Sequence, residues 1–509
     1  MAPRRFTSSN HIPPEDVKCT DTVIIGNGPS ALFLSYLLHG NIPTYDSVTH
    51  GPHPDPALHT KLSRYGNRPL FDAIESMRAS EALTEHFHAA TYMGYSNQAL
   101  PLNVLLDTLV QPGADTEIGG AKSRLKWSSD ERRRIGHVVL GSAKEAGGQW
   151  SEDPASTGTS WDIEALSYAE MLSLPGYSFR EHYRRKHGKA MPHLNRPTRR
   201  EVADYYGAYP RAAGISSEVF SSVYAHRVNR TQSGFSVKVY RKPTSSRPQC
   251  EYTIHCKHLV LATGILTNVI PPPPIFLPLL NPANNTLYQQ QRVKTLPLLV
   301  VGSGFTAADV IINAPPNQKI IHIFKWNTTR PSPLKGCHSQ AYPEYASIYR
   351  RMKQSAADST SPASLTTPSN YEGFPNAQVI AVSGDGRVIR ILTADGDILE
   401  RTIDTLNYCV GRRGSLEYLS AELRKAVGVL DAGWVSADTL RRRAEADLEV
   451  TKNVWVVGSL TGDSLVRYAF GGCAYAAGRI MADQEIPEDE LTMQEATTTS
   501  RRGSGCVVS

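Results

Sequence analysis

A short β-branched run that enters a glycine-rich turn and leaves as a helix occurs twice in this chain, and that echo restricts the fold more than anything else in its 509 residues. The first copy is Thr22-Val23-Ile24-Ile25-Gly26-Asn27-Gly28-Pro29-Ser30-Ala31, followed by apolar residues 32 to 38. The second is Leu298-Leu299-Val300-Val301-Gly302-Ser303-Gly304-Phe305-Thr306-Ala307-Ala308. Both read G-x-G-x-x-A. The first glycine permits the tight turn, and the second, having no Cβ, lets a pyrophosphate approach the backbone. The small residue at the last position, Ala31 or Ala307, lets the helix lie on the strand. The helix start then offers free N–H groups and the positive end of its dipole to the phosphates. One such turn is weak evidence. Two in strand–turn–helix context predict an α/β chain with two Rossmann-like dinucleotide-binding domains. The residues expected at the nucleotides are Gly26, Gly28, Pro29, Ser30 and Ala31 in the first copy, and Gly302, Gly304, Phe305, Thr306 and Ala307 in the second.

The second copy is followed by Lys319-Ile320-Ile321-His322-Ile323-Phe324-Lys325-Trp326, a strand ending in a cation. A carboxylate there would bind the 2′-hydroxyl of NAD, whereas a cation pairs with a 2′-phosphate, so Lys325 and nearby Arg330 point to NADPH. After the first copy, counting to the ribose-binding acid reaches Asp46, but residues 41 to 47 do not read as a convincing strand. The better strand is His137-Val138-Val139-Leu140-Gly141, which runs into Ala146-Gly147-Gly148-Gln149-Trp150. A strand followed by G-G-x-W resembles the flavin-containing and Baeyer–Villiger monooxygenases, where this loop lies against FAD. The resemblance implies that residues from about 46 to 134 are an insertion. It puts the ribose acid at Gly141, where it is missing, with Ser142 a guess at its replacement.

Leu259-Val260-Leu261-Ala262-Thr263-Gly264 resembles the linker by which such chains pass between nucleotide domains. Val454-Trp455-Val456-Val457-Gly458 is a further strand, followed by Gly462-Asp463. In related flavoproteins an aspartate here binds the FAD ribityl chain. Gly471-Gly472-Cys473-Ala474 then opens a helix whose start would stabilise charge on the reduced flavin. The expected layout is a discontinuous FAD domain, 19–264 and 404–484, with the NADPH domain, 265–403, inserted in it. Polar tails, 1–18 and 485–509, lie outside, and the polar stretch 355–370 reads as a surface loop.

At finer grain the chain resembles the oxidative stress-induced growth inhibitor family from about residue 20 to 480. The shared strings are Ile24-Ile25-Gly26-Asn27-Gly28-Pro29-Ser30, His59-Thr60-Lys61-Leu62, Leu106-Asp107-Thr108-Leu109, Leu174-Pro175-Gly176, Tyr342-Pro343-Glu344-Tyr345 and Gly462-Asp463-Ser464-Leu465-Val466-Arg467. Ala31 departs from the family's glycine, and Phe324-Lys325-Trp326 carries fewer arginines than relatives do. The resemblance implies an NADPH-dependent monooxygenase with links to growth and cytokinesis.

On this reading the reaction runs through a C4a-peroxyflavin that oxygenates a small-molecule substrate with O₂. The cofactors carry the chemistry and the protein positions and shields them. Arg467, between Asp463 and the Gly471-Gly472 turn, is the candidate catalytic residue, an arginine to stabilise an anionic peroxide. His322 and Cys473 read as packing residues. A peroxide-releasing NADPH oxidase, and a membrane-recruited signalling protein that only senses nucleotide, remain open alternatives. A disulfide reductase is disfavoured, because no cysteine pair has C-x-x-C spacing.

Composition adds bounds. The net charge of +6 suits anionic ligands but is too small and dispersed for nucleic acid. No Cys/His cluster has zinc spacing, so no metal is expected. Scattered cysteines, no signal-peptide core and no apolar run of ~18 residues suggest a cytoplasmic protein. The ending Cys506-Val507-Val508-Ser509 is a C-a-a-X box behind Arg501-Arg502. It suggests farnesylation of Cys506 by a prenyltransferase and recruitment to a cytosolic membrane face.

Overall fold

The computed structural model describes residues 18–112, 122–152, 160–241, 249–280, 296–358, 370–430 and 432–484. Cys506 lies outside them. Two sheets organise the chain, one with a parallel centre and antiparallel additions and one wholly parallel, each with one of the glycine turns at the end of an inner strand.

In the first sheet, β1 (Cys19–Ile25) lies between β4 (His137–Leu140) and β8 (Cys250–Leu261), parallel to both. In register, Val23 sits beside Val138 on one side and Leu259 on the other. Val23, Ile24 and Ile25 are all buried, as a strand covered on both faces requires. Short β5 (Val219–Phe220) extends the sheet beyond β4. Antiparallel β6 (Val223–Thr231) and β7 (Gly234–Arg241) branch from β8. The second sheet is wholly parallel, in the order β11 (Tyr371–Pro375), β10 (Ile320–Phe324), β9 (Leu298–Val301), β15 (Thr405–Tyr408). Three antiparallel strands stand beside it: β12 (Gln378–Val382), β13 (Val388–Leu392) and β14 (Ile398–Thr402). Two glycine-led parallel sheets make this an α/β fold with two Rossmann-type units. Back in the first sheet, β16 (Glu449–Thr451) pairs antiparallel with β17 (Val454–Val456), which lies parallel to β8 and so returns the chain to that sheet.

The helix after the first turn, α1 (Pro29–Leu38), is buried from Ala31 through Leu38. A helix apolar all round belongs inside a protein. It packs on β4 and on the helix α6 (Phe470–Ala482), which in turn packs on α2 (Pro101–Val110). Each of Leu32, Phe33, Leu34, Leu37 and Leu38 is fully buried, a contribution of ~1.5–3 kcal/mol apiece before entropy. Three further helices border the glycine turns and the elements around them: α3 (Arg199–Ala212), α4 (Phe305–Ile312) and α5 (Pro343–Asp358).

Two expectations need correction. Residues Asn41–Tyr45 do form a strand, β2, antiparallel to β3 (Leu125–Ser129) with Tyr45 opposite Leu125. Its Asn and Pro hide it from propensity, but buried Ile42, Pro43 and Tyr45 give it a core face. It stands outside the parallel sheet, where β4 has the place beside β1. The stretch 46–134, read as an insertion, contributes to the core: α2 lies in it with eight of its ten residues, 102–109, buried. Finally, residues 355–358, read as loop, are the last of α5. Among the described residues no helix is long and apolar enough to cross a membrane.

The contact of α6 with α2 depends on Gly471, because a Cβ there would overlap the Leu102 carbonyl. Gly471→Ala is expected to lower stability by ~1–3 kcal/mol, read as a shift in urea midpoint. Gly304→Ala, where an added Cβ meets nothing within 4 Å, is the control and should shift it little.

Candidate nucleotide sites

The first turn is built by crowding. Gly26 has φ +117°, and a Cβ on it would overlap the Ala262 carbonyl at the end of β8. Beyond it Gly28 starts α1 with no side-chain cap, so the first N–H groups of the helix are left for a ligand. By contrast α3 carries a full capping box from Thr198 and Glu201. The loop after β4 is clamped onto the turn: Gly147 N–H donates to the Asn27 carbonyl at 2.8 Å, and Asn27 Nδ2 donates to the Glu145 carbonyl at 3.0 Å. The resulting groove of about 120 Å³ is lined by Gly26, Gly28, Pro29, Ser30, Ser142, Gly147, Gly148, Gln149, Trp150, Gly264, Leu266, Ser459 and Asp463, among others.

The second turn repeats the construction. Gly302 has φ +147°, and a Cβ on it would overlap the Cys409 carbonyl just past β15. Cys409-Val410-Gly411 thus does for the second sheet what Ala262-Thr263-Gly264 does for the first, and both Gly264 and Gly411 have positive φ. Gly304 starts α4, again without a side-chain cap. The cavity here is far larger, about 990 Å³. Gly302, Gly304, Phe305, Thr306, Asp309, Lys325 and Trp326 line it, as do Arg199, Leu266, Cys409 and Arg412. Gln149, Trp150 and Leu266 line both cavities, so the two sites adjoin there. Arg199 Nη2 donates to the Gln149 carbonyl at 2.7 Å and Arg412 Nη1 to the Leu266 carbonyl at 2.7 Å, fixing that shared wall.

Other expected residues have different places. Ala31 and Ala307 are buried beneath their turns as packing residues. Gly458, beside β17, leaves room for Ser30, and a Cβ there would overlap the serine hydroxyl. Arg330 is exposed and outside the second cavity, so Lys325 alone of the two cations lines it. Asp463 lines the groove, but its carboxylate is already engaged: Oδ2 accepts from Leu100 N–H at 2.9 Å and Asn103 Nδ2 at 2.7 Å, and Oδ1 from Arg441 Nη1 at 2.6 Å. Asn103 Oδ1 in turn accepts from Gly472 N–H at 2.8 Å. One N–H in the first turn of α6 is therefore taken by Asn103, and Gly472 lines neither of the two cavities. Arg467 is 4% exposed and outside both cavities. Its Nη1 stands 3.3 Å from Asp107 Oδ2 and its Nη2 donates to Tyr468 at 2.8 Å. It ties α2 to the segment before α6 rather than facing a reacting group.

His322 and Cys473 are packing groups, but His322 has a specific task. Its Nε2 donates to the Gly302 carbonyl at 2.7 Å, so Nδ1 accepts from Tyr371 at 2.7 Å and the ring is neutral. Burial pushes it down to about 4. Between its ordinary value of about 6.5 and this one, the unfolded chain takes up a proton that the folded chain does not, so stability falls as pH drops through that window. His53 and His137 are pushed down to about 4 by burial as well. The free energy of unfolding should fall between pH 7 and pH 5. In His322→Gln that fall should be smaller by roughly 2 kcal/mol. An identical pH dependence in the two proteins would contradict this.

Sequence comparison extends the resemblance to nine-tenths of the chain. The mouse oxidative stress-induced growth inhibitor 1 is 27% identical over 495 residues, covering 90% of this chain and 94% of its own. The human oxidative stress-induced growth inhibitor 2 is 25% identical over 513 residues, covering 91% and 93%. A Caenorhabditis elegans homologue of these proteins is 25% identical over 490 residues, covering 91% and 94%. No family model matches. Among solved structures, the flavin-containing monooxygenase from Stenotrophomonas maltophilia aligns with TM-score 0.47 at 14% identity, over 91% of this chain and 99% of that one. The bacillithiol disulfide reductase from Staphylococcus aureus aligns with TM-score 0.48 at 10% identity, over 92% and 100%.

Proposed function

We propose that this homologue of the oxidative stress-induced growth inhibitors is a FAD-dependent, NADPH-consuming oxidoreductase that oxygenates a small-molecule substrate with O₂. The observation that carries the reading is the shared wall. Two glycine-turn sites meet at Gln149, Trp150 and Leu266, the arrangement that passing a hydride between two bound rings requires. When bound, FAD would supply two-electron chemistry and reactivity toward O₂.

The residues present fit these groups. Both helix starts lack side-chain caps, and an added Cβ at Gly28 or Gly304 meets nothing within 4 Å, so each turn keeps open the space a diphosphate needs. The first groove, about 120 Å³, suits a diphosphate rather than a whole dinucleotide. FAD must run along its open mouth or widen it. Lys325, on the lining of the second cavity, is the cation for a 2′-phosphate. Trp150 and Leu266 give the junction apolar surface, which would exclude water once both nucleotides are bound. With Arg467 drawn into packing, the protein's work at the flavin would be binding, orienting and excluding water.

The test is a visible spectrum of the protein reconstituted with FAD, then titrated anaerobically with NADPH. Flavin absorption that bleaches is the expected result, and a protein that takes up no FAD contradicts the reading. Gly28→Val should fold yet lose FAD, and Lys325→Ala should raise the KM for NADPH ~10-fold while leaving that for NADH nearly unchanged. Substrate-dependent NADPH consumption with little hydrogen peroxide separates an oxygenase from an oxidase.

A further inference from the structure

Asp309 is an acid in a cavity otherwise suited to an anion. It lies on α4 a little over one turn beyond the Gly304 start and lines the second cavity. Its Oδ1 accepts a hydrogen bond from Tyr345 of α5 at 2.8 Å, and Tyr345 is held edge-on to Phe305. The other groups acting on it are Arg199 of α3, Glu344 of α5 and the Cys409 thiol beyond β15. Burial raises the Asp309 carboxyl to about 6, with the Tyr345 hydrogen bond and Arg199 opposing it. Carboxylate beside diphosphate is repulsive, so this acid needs a different counterpart on the ligand.

The sheet order says which part of the ligand it faces. β9 carries the glycine turn, and β10 and β15 flank it. Lys325 follows β10, whereas Cys409 and Arg412 follow β15 on the opposite side. Arg199, which acts on Asp309, is bonded to the Gln149 carbonyl, on the wall shared with the first groove. Asp309 therefore belongs to the half of the cavity where the reacting ring must lie, away from the 2′-phosphate cation.

NADPH and NADP⁺ differ at that ring by a hydride, and hence by one positive charge. We propose that Asp309, anchored by Tyr345 on the junction side of the second cavity, selects the oxidised pyridinium ring of NADP⁺ over the uncharged reduced ring. This rests on reading the cavity as a nicotinamide nucleotide site, and deepens it: the site favours the product of hydride donation, which draws the transfer forward.

Equilibrium binding of NADP⁺ and of 1,4,5,6-tetrahydro-NADP, whose uncharged ring gives up no hydride, tests the proposal without turnover. At pH 8 the wild-type protein should prefer NADP⁺ by roughly tenfold, the size of a one-unit charge interaction. The preference should fade as the pH is lowered through about 6 and the carboxylate takes up its proton. Asp309→Asn should show no preference at any pH, and Asp309→Glu should keep it. A preference that survives in Asp309→Asn, or one constant from pH 8 to pH 5 in the wild-type protein, overturns the proposal. If neither ligand binds the wild-type protein, the nucleotide reading of the cavity fails, and the inference with it.

Discussion

At Gly26 and again at Gly302 a backbone carbonyl from a neighbouring strand occupies the space where a side chain would begin. That contact sets much of what surrounds it. Because the Ala262 carbonyl lies against Gly26, β8 must run beside β1 up to the turn, and the chain leaving β8 passes directly in front of α1. Because the Cys409 carbonyl lies against Gly302, the chain leaving β15 does the same in front of α4. The two exits, 262–266 and 409–412, are joined by the Arg412 hydrogen bond to Leu266. Steric crowding at two glycines thus fixes where the two units touch, and no larger residue at either position would allow it.

The loop after β4 builds on that geometry. Its Gly147 N–H and Glu145 carbonyl bind Asn27, its Gln149 carbonyl binds Arg199, and its Gly147 backbone packs on Tyr206 of α3. A loop held at both ends by rigid elements places Gln149 and Trp150 where a mobile one would not. Asp463 and Asn103 act similarly on the far side, joining α2, Arg441 and the start of α6 in one buried network. Polar groups that a motif-based reading assigns to the flavin are spent on holding the groove's walls, a high-value use in a buried setting.

The two turns, their strands and the G-G-x-W loop were legible in the sequence because each depends on local chemistry: β-branched runs, glycines at fixed spacing, a helix behind. Lys325 was legible for the same reason, as the end of a buried strand. What failed was tertiary. Arg467 and Gly472 follow Asp463, which lines the groove, within ten residues, yet the turn of the chain points them at Asp107 and Asn103 of α2, about which linear spacing says nothing. Asn41–Tyr45 was hidden because its partner strand is some eighty residues on. The role of Cys409-Val410-Gly411 had a signal, a strand ending in small residues and glycine like Ala262-Thr263-Gly264, but with Cys and Val in place of Ala and Thr. Asp309 and Arg199 had none, since each gains its meaning from the facing element.

On the proposed reading the two nucleotide rings meet across Gln149, Trp150 and Leu266. Anaerobic stopped-flow reduction of the FAD-loaded protein by NADPH deuterated at C4, on one face and then on the other, tests it most directly. Rings in contact predict single-step flavin reduction slowed severalfold by deuterium on one face only. If both nucleotides bind but the flavin stays oxidised, or if neither label slows its reduction, the sites do not join as described.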